Sequence, residues 1–404
     1  MGPVRILILT NGPLARNPRV VKEASVLGAA GHAVTVLGLR NHRPSVALDA
    51  AIVDDAPFRH EQVEFLDGRV AWLRRAFARL ARELAGRGGP ATIYSLGPAQ
   101  PFLRAARARA RAADLTIVHN EIPHWIGARL IREGRRVGAD IEDWHSEDLP
   151  PHERTGRPLA LLRRVERTLL HGAIHLTTTS EALAEGLFAA YGGRRPAVIT
   201  NSFPLPATPR PSGASPAAEP TFFWFSQTTG PGRGLELFLA AWARTRLPSR
   251  VVLLGEVEET YATRLRAALP PSFRSRLTFR PLVSPRALPE VIAGHDIGLA
   301  LEQSYIVNRD LTITNKILQY LGAGLAVVAS DTAGQREVLK HDPAAGLVLP
   351  LHETTAAAAA LEGLVADPAG LRARQLAARR LAEARYCWER EGPRLVALVE
   401  AALG

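Results

Sequence analysis

At 404 residues the chain is longer than one ordinary core fills, so two domains are expected. Its single cysteine, Cys387, excludes an internal disulfide and a cysteine-based zinc cluster, and no apolar run is long enough to span a bilayer. The net charge of +11 would suit an anionic partner, and it is concentrated in the first half, with 28 Lys+Arg against 20 Asp+Glu in residues 1–205 and 22 against 19 in 206–404. Arginine outnumbers lysine 47 to 3, however, a bias that GC-rich coding produces, and most of the charge is assigned to that cause.

The chain opens on a buried-type strand, VRILILT (4–10), with no signal-peptide cleavage pattern before it. A cytoplasmic protein is therefore expected, with a peripheral position at the inner membrane face as the alternative. The loop NGPLARNPRV follows, where Asn17 and Pro18 form an N-cap and first-turn pair. A helix runs to Gly31, and HAVTVLGL completes a βαβ unit. The loop carrying Gly12 could approach a phosphate through backbone N–H groups, although G-x-G-x-x-G is missing.

Residues 69–87, RVAWLRRAFARLARELAGR, place Leu73, Phe77, Leu80 and Leu84 on one helical stripe, with arginines largely off it. Such a helix can lie on an anionic membrane; a core-facing stripe with a solvated back is the preferred expectation. ATIYSL then reads as a strand, followed by an arginine-rich helix over 101–113. LTIVHN (115–120) is a strand ending in His119-Asn120-Glu121. GADIEDWHSED (138–148) is strand-like to Glu142 and ends in Asp143, His145, Glu147 and Asp148. Two successive strands thus deliver histidine and carboxylate groups to one rim, which is material for acid/base work. A metal site is weakly indicated, for there is neither His-Glu-x-x-His nor Asp-x-Asp. A helix over Leu161–Leu169, the strand AIHLTTT, a helix opened by Ser180 and the short strand in AVITNSFP close this half. Residues 204–220, rich in Pro, Ala and Ser, are the clearest linker.

The second half begins with the aromatic strand TFFWFSQ (221–227) and the glycine-rich turn TTGPGRG, where Arg233 and Gly234 precede a helix. Backbone N–H groups beside an arginine suit a phosphate or diphosphate. Strands RVVLLGE, RLTFRPL and DIGLAL follow with their helices, and 302–311 reads as a polar loop. Residues 312–337, TITNKILQYLGAGLAVVASDTAGQRE, read as a helix stopped by Gly322 and Gly324, a buried strand, and a polar loop opening the next helix. Ligands of open α/β sheets bind outside the carboxyl ends of the strands, and Asn315, Lys316 and Gln319 are the polar residues embedded in this apolar frame. An alanine-rich helix and an amphipathic helix over the last two dozen residues end the chain.

This pattern resembles the GT-B glycosyltransferases, closest to the family-four-like group that uses nucleotide sugars. The likeness covers nearly the whole chain and is carried by VRILILTNGPLARNPRVVKEASVLGAAGHAVTVL, IHLTTTSEALAEGL with AVITNSFP, FSQTTGPGRGLELFLAAW and NKILQYLGAGLAVVASDTAGQREVL. It implies an α/β GT-B fold: two Rossmann-like domains with parallel sheets facing an interdomain cleft. The acceptor domain would span 1–204, the linker 205–220 and the donor domain 221–380, with the helix 381–404 packing back toward the first domain.

It also implies a metal-independent enzyme, without a bound cofactor, that takes a nucleotide-diphosphate sugar as donor. Transfer would go, with retention, to a glycan, lipid-linked or other hydroxyl acceptor. Gly12, Arg233, Gly234, Asn315, Lys316 and Gln319 would contact the donor, the cations neutralising the diphosphate. His119 resembles the histidine such enzymes set at the fourth-strand rim, with Glu121, Asp143 and His145 beside it as further catalytic candidates. Two departures stand out. The usual pair of glutamates eight positions apart falls on Leu311 and Gln319, and the usual first-strand arginine falls on Gln227. A sugar-nucleotide epimerase or a silent nucleotide-sugar-binding homologue on the same fold are the alternatives. Nucleic acid is not expected, because the arginine runs lack interleaved aromatics.

Overall fold

The computed structural model describes residues 2–206 and 219–404, so residues 207–218 of the expected linker lie outside the described residues. Two compact units are present. The first comprises 1–199 with 392–404, and the second comprises 200–391.

The first unit carries strands β1 (Arg5–Leu9), β2 (Ala33–Arg40), β3 (Arg59–Glu64), β4 (Leu115–His119), β5 (Val137–Ile141), β6 (His175–Thr178) and β7 (Ala197–Val198). They form one sheet, ordered β3-β2-β1-β4-β5-β6-β7, with every neighbouring pair parallel. Every residue of β4 and β5 is buried, as expected where helices cover both faces of a parallel sheet. The second unit carries β8 (Thr221–Thr229), β9 (Arg250–Val257), β10 (Leu277–Arg280), β11 (Ile297–Ala300), β12 (Ala326–Ser330) and β13 (Gly346–Leu349), also all parallel, ordered β10-β9-β8-β11-β12-β13. Alternation along β8 divides its aromatics between two core layers: Phe222 and Trp224 in one, Phe223 and Phe225 in the other. Both sheets reverse direction of travel once, between β1 and β4 and between β8 and β11. At such a switch point the loops leaving neighbouring strands diverge and open a crevice.

Local chemistry explains most element ends. Asn17 accepts a hydrogen bond from the Val20 N–H at 3.2 Å with Pro18 at the first helical position, and Ser180 accepts from the Leu183 N–H at 3.0 Å. Four expectations need correction. ATIYSL is not a strand: Ile93–Leu96 is a short helix, because the Thr92 hydroxyl accepts from the Tyr94 N–H and the Ser95 hydroxyl donates to the Thr92 carbonyl, local bonds that compete with a ladder. Gly322 lies inside the helix Asn315–Ala323, which Gly324 alone ends, at φ 76°. The 302–311 loop contains a helical turn, Val307–Leu311. Finally, helix Arg69–Gly86 buries Ala71, Ala78 and Ala85, not its large apolar stripe; Leu73, Phe77, Leu80 and Leu84 are exposed. Strand β3 and a helix at Val46–Val53 are additions that the sequence reading did not make.

Close approach decides one glycine in particular. A Cβ at Gly298, on β11, would sit 2.2 Å from the buried Tyr320 ring, whereas one at Gly12 would meet nothing within 4 Å. We expect Gly298→Ala to cost about 2 kcal/mol by forcing the ring aside. Gly12→Ala should leave stability within about 0.5 kcal/mol. Urea unfolding of both variants measures the contrast.

Candidate functional site

In the second unit the switch point brings together residues from three separate segments. Arg233 stands in the turn after β8, held in a glycine-rich bend in which Gly232 and Gly234 both adopt φ near 74°. A Cβ at Gly234 would approach the Gln303 amide to 2.8 Å, so that position is closed to other residues on two counts. Glu302 lies two residues beyond the end of β11. Its side chain is only 4% exposed, with one carboxylate oxygen 3.1 Å from the Lys316 ammonium and the other 3.6 Å from the Arg233 guanidinium. Lys316, at the start of helix Asn315–Ala323, also lies 5.4 Å from the centroid of the buried Trp224 ring. Two cations thus converge on one buried carboxylate, which anchors both side chains at the rim.

Glu302 was absent from the sequence candidates. Its signal was available, for it is an acid at the carboxyl end of a parallel strand. Gln319, one turn beyond Lys316, lines a cavity of about 740 Å³ with Arg286, Pro289, Leu318 and the Phe203–Pro206 segment. Asn315 is exposed at the helix start. Gly12 is in the loop after β1 of the first unit.

The first unit's rim is built in two levels. The lower level is interior. Arg19 donates to the Asp140 carboxylate at 2.9 and 2.6 Å and to the Ile199 carbonyl at 2.9 Å, while His119 pairs with Glu23 at 2.5 Å; all four of these side chains are buried. Burial would raise the Asp140 pKa, but the Arg19 charge outweighs it and holds the group well below the usual carboxylate range. For His119 burial opposes protonation, and Glu23 more than compensates, raising its pKa. His119 is therefore an interior partner of Glu23, 1% exposed, and not a surface group of the rim.

The upper level collects Glu121, His145, Asp148 and Arg157. Arg157 lies 2.7 Å from Glu121 and 3.1 Å from Asp148, and His145 lies 3.7 Å from Asp148. Burial would lower the His145 pKa, but the nearby Asp148 carboxylate and the charges of Glu121 and Asp143 raise it to about 9. His145 is thus a proton donor at neutral pH. Its ring neighbour His124, 5.4 Å away, is buried and pushed down to about 3, so it stays neutral. Glu142 is raised to about 7, by burial first and by Asp143 second. Asp143 acts here through its charge on both neighbours. The backbone between the levels is held in an unusual form: Asn120 has φ 69°, the one positive φ among described non-glycine residues, with its side-chain oxygen accepting from the Thr10 hydroxyl at 3.0 Å.

Among the described residues two groupings could hold a cation by distance, Glu23–His119–Asp140 and Glu121–His145–Asp148. Arg19 already fills the first and Arg157 the second.

Residues 17–202 match the glycosyl transferase 4-like domain family, and residues 219–367 match the glycosyl transferases group 1 family. The structure of Anabaena Alr3699/HepE in complex with UDP-glucose matches at TM-score 0.70 and 16% identity, over 98% of this chain and 100% of that one. A glycosyltransferase from Rickettsia africae matches at TM-score 0.66 and 10% identity, over 100% and 99%. The E. coli trehalose-6-phosphate structure bound with UDP-2-fluoro glucose matches at TM-score 0.64 and 13% identity, over 99% of both chains. At such identities these likenesses establish the shared GT-B fold. No curated protein sequence matches the chain significantly.

The His145 environment gives a pH signature. A pKa raised from 6.5 to about 9 means that the folded protein holds this proton more tightly than the unfolded chain. The stabilisation is complete below about pH 6.5 and is lost as pH rises through about 9. The difference in melting temperature between the wild type and His145→Gln should therefore be constant in acid and shrink between pH 6.5 and 9.5. A difference independent of pH would show that folding does not shift the His145 pKa.

Proposed function

Because the chain belongs to the group 1, family-four-like glycosyltransferases, we propose that it transfers a sugar from a UDP-sugar to a hydroxyl acceptor, with retention and without a metal ion. The observation that carries this reading is the convergence of Arg233 and Lys316 on the buried Glu302 at the β8/β11 switch point. A diphosphate leaving group gains negative charge as the glycosidic bond breaks, and two fixed cations at a strand rim stabilise that charge without reorganisation. They supply locally the charge for which a metal ion is otherwise used. The carboxylate between them holds the two side chains in place before the donor arrives. UDP as the nucleotide is supported by the bound UDP-glucose and UDP-2-fluoro glucose of the similar structures.

Gln319 takes the ribose end. It sits one helical turn from Lys316, and its amide can donate and accept to a ribose hydroxyl without adding a second anion beside Glu302. Asn315 offers an exposed amide at the start of the Lys316 helix.

The acceptor is assigned to the first unit, at the Glu121–His145–Asp148 rim. His145, protonated at neutral pH, donates to an acceptor oxygen, and Glu121 and Asp143 receive neighbouring hydroxyls. His119 supports the rim from beneath through Glu23. Retention requires no protein base to take the acceptor proton directly. The acceptor is a glycan, lipid-linked or other hydroxyl compound.

The test is a panel of UDP-, GDP- and TDP-sugars, read by thermal shift and by nucleotide release. UDP and at least one UDP-sugar should raise the melting temperature. Arg233→Ala and Lys316→Ala should each weaken UDP binding about tenfold or more, the scale of a lost charge-assisted contact. A silent panel would sink the reading. Equal losses in UDP affinity and in unliganded stability for Lys316→Ala would return Lys316 to a purely structural role beside Glu302.

A further inference from the structure

Helix Arg69–Gly86 is built the wrong way round for a core helix. The face it lays on the unit consists of small residues, Ala71, Ala78 and Ala85, while its bulky residues are outside. Leu73, Phe77, Leu80 and Leu84 are 59%, 56%, 54% and 51% exposed, and Val70 and Trp72 are exposed as well. Every other element among the described residues exposes at most one large apolar side chain. The only ring partner that Phe77 has among the described residues is Tyr94, edge-on at 5.3 Å. An open apolar hollow of about 500 Å³ at the helix start is lined by Gly68, Arg69, Trp72 and Leu73. A contiguous exposed patch of this kind marks an interaction surface, because its exposure costs free energy that a partner recovers.

Charge identifies the partner. Residues 69–87 hold six arginines and one acid, Glu83. At 100° per residue, Val70, Leu73, Phe77, Leu80 and Leu84 occupy one arc, with Arg69 and Arg87 along one edge of it and Arg74 along the other. Arg74 and Arg75 also donate to the carbonyls of Glu64, Phe65 and Leu66, and Arg82 donates to that of Ser95, so the cations tie the helix down by its base. Self-pairing of two such faces would set arginine edges against each other. An anionic surface would meet them with opposite charge.

We propose that this helix docks the protein on an anionic phospholipid bilayer, the Val70–Leu84 stripe entering the headgroup–acyl boundary and the flanking arginines meeting lipid phosphates. Apolar burial and electrostatic attraction then act together, as interfacial helices require. Among the described residues no helix is long and apolar enough to cross a membrane. The proposal does not depend on the donor reading.

The experiment is co-sedimentation of the full chain with vesicles of phosphatidylcholine alone and of equal parts phosphatidylcholine and phosphatidylglycerol, at low and high salt. The wild type should pellet with the mixed vesicles and be weakened by salt. The variant Leu73→Ser/Phe77→Ser/Leu80→Ser/Leu84→Ser should lose at least tenfold in vesicle affinity with an unchanged melting temperature. Arg69→Gln/Arg87→Gln, which leaves the apolar stripe intact, should lose binding chiefly at low salt. The proposal is overturned by wild type that stays in the supernatant, by equal binding to neutral vesicles, or by a fourfold Ser variant that pellets like wild type. It is also overturned by light scattering that shows a wild-type dimer which the Ser variant converts to monomer, since a second copy would then cover the face.

Discussion

A carboxylate placed at the end of a buried parallel strand needs a cation beside it, and both units are arranged around that requirement. Taking the charge out of water costs several kcal/mol, which only close pairing offsets. In the second unit the carboxylate is Glu302, and its partners arrive from the turn after β8 and from the helix before β12. In the first it is Asp140, on β5, with Arg19 reaching it from the helix after β1. In each case the cation comes from a segment distant in sequence, so the pair also fixes which segments meet at the rim. Removing Arg19 or Asp140 would leave the other buried and unpaired, a loss of about 3–5 kcal/mol, whereas Glu302 keeps one cation when the other is removed.

The two pairs nevertheless differ in what they leave available. Arg19 spends its guanidinium on Asp140 and the Ile199 carbonyl and is buried. Burial closes the pair to a ligand, and it is architectural. Arg233 stands off at 3.6 Å and is one-third exposed, and one Glu302 oxygen has no hydrogen-bond partner. The first unit's network also keeps buried atoms without a hydrogen-bond partner, Asp140 Oδ1 and Glu23 Oε1 among them, but it is closed to solvent, whereas the half-open Arg233 lets a charged ligand reach the cluster at the switch point of the second unit. This contrast, more than the residue types, separates the donor reading in one unit from the structural role of the buried network in the other.

The fold was legible where its signals are local and periodic. Apolar runs of strand length, glycines at helix ends and Asn17-Pro18 each depend on a few consecutive residues, and the sheets follow from right-handed βαβ succession. What was not legible depends on the other face of an element. Strand β3, RHEQVE, is polar at five of its six positions because it is an edge strand, so it carries no buried run. ATIYSL has strand-forming residues, yet its hydroxyls close local bonds first. For the site, Arg233 and Lys316 could be picked out one at a time, but their common anchor could not, since only the strand order places residue 302 beside 233 and 316. His119 shows the converse, for a histidine at a strand end has the same sequence signal whether it faces solvent or Glu23.

Helix Arg69–Gly86 carries the same lesson to the surface. Periodicity establishes that Leu73, Phe77, Leu80 and Leu84 share a face, but not which way the face points. The default, inward, rests on the assumption that large residues gain most by burial in the protein's own core. Here three alanines make the inward contact, and arginine hydrogen bonds to backbone carbonyls supply the attachment that apolar packing would otherwise provide. Holding the helix by polar ties at its base leaves the bulky stripe uncommitted. A stripe kept outward in this way costs free energy in water unless something apolar receives it, and the flanking arginines restrict the receiving surface to one that is also anionic.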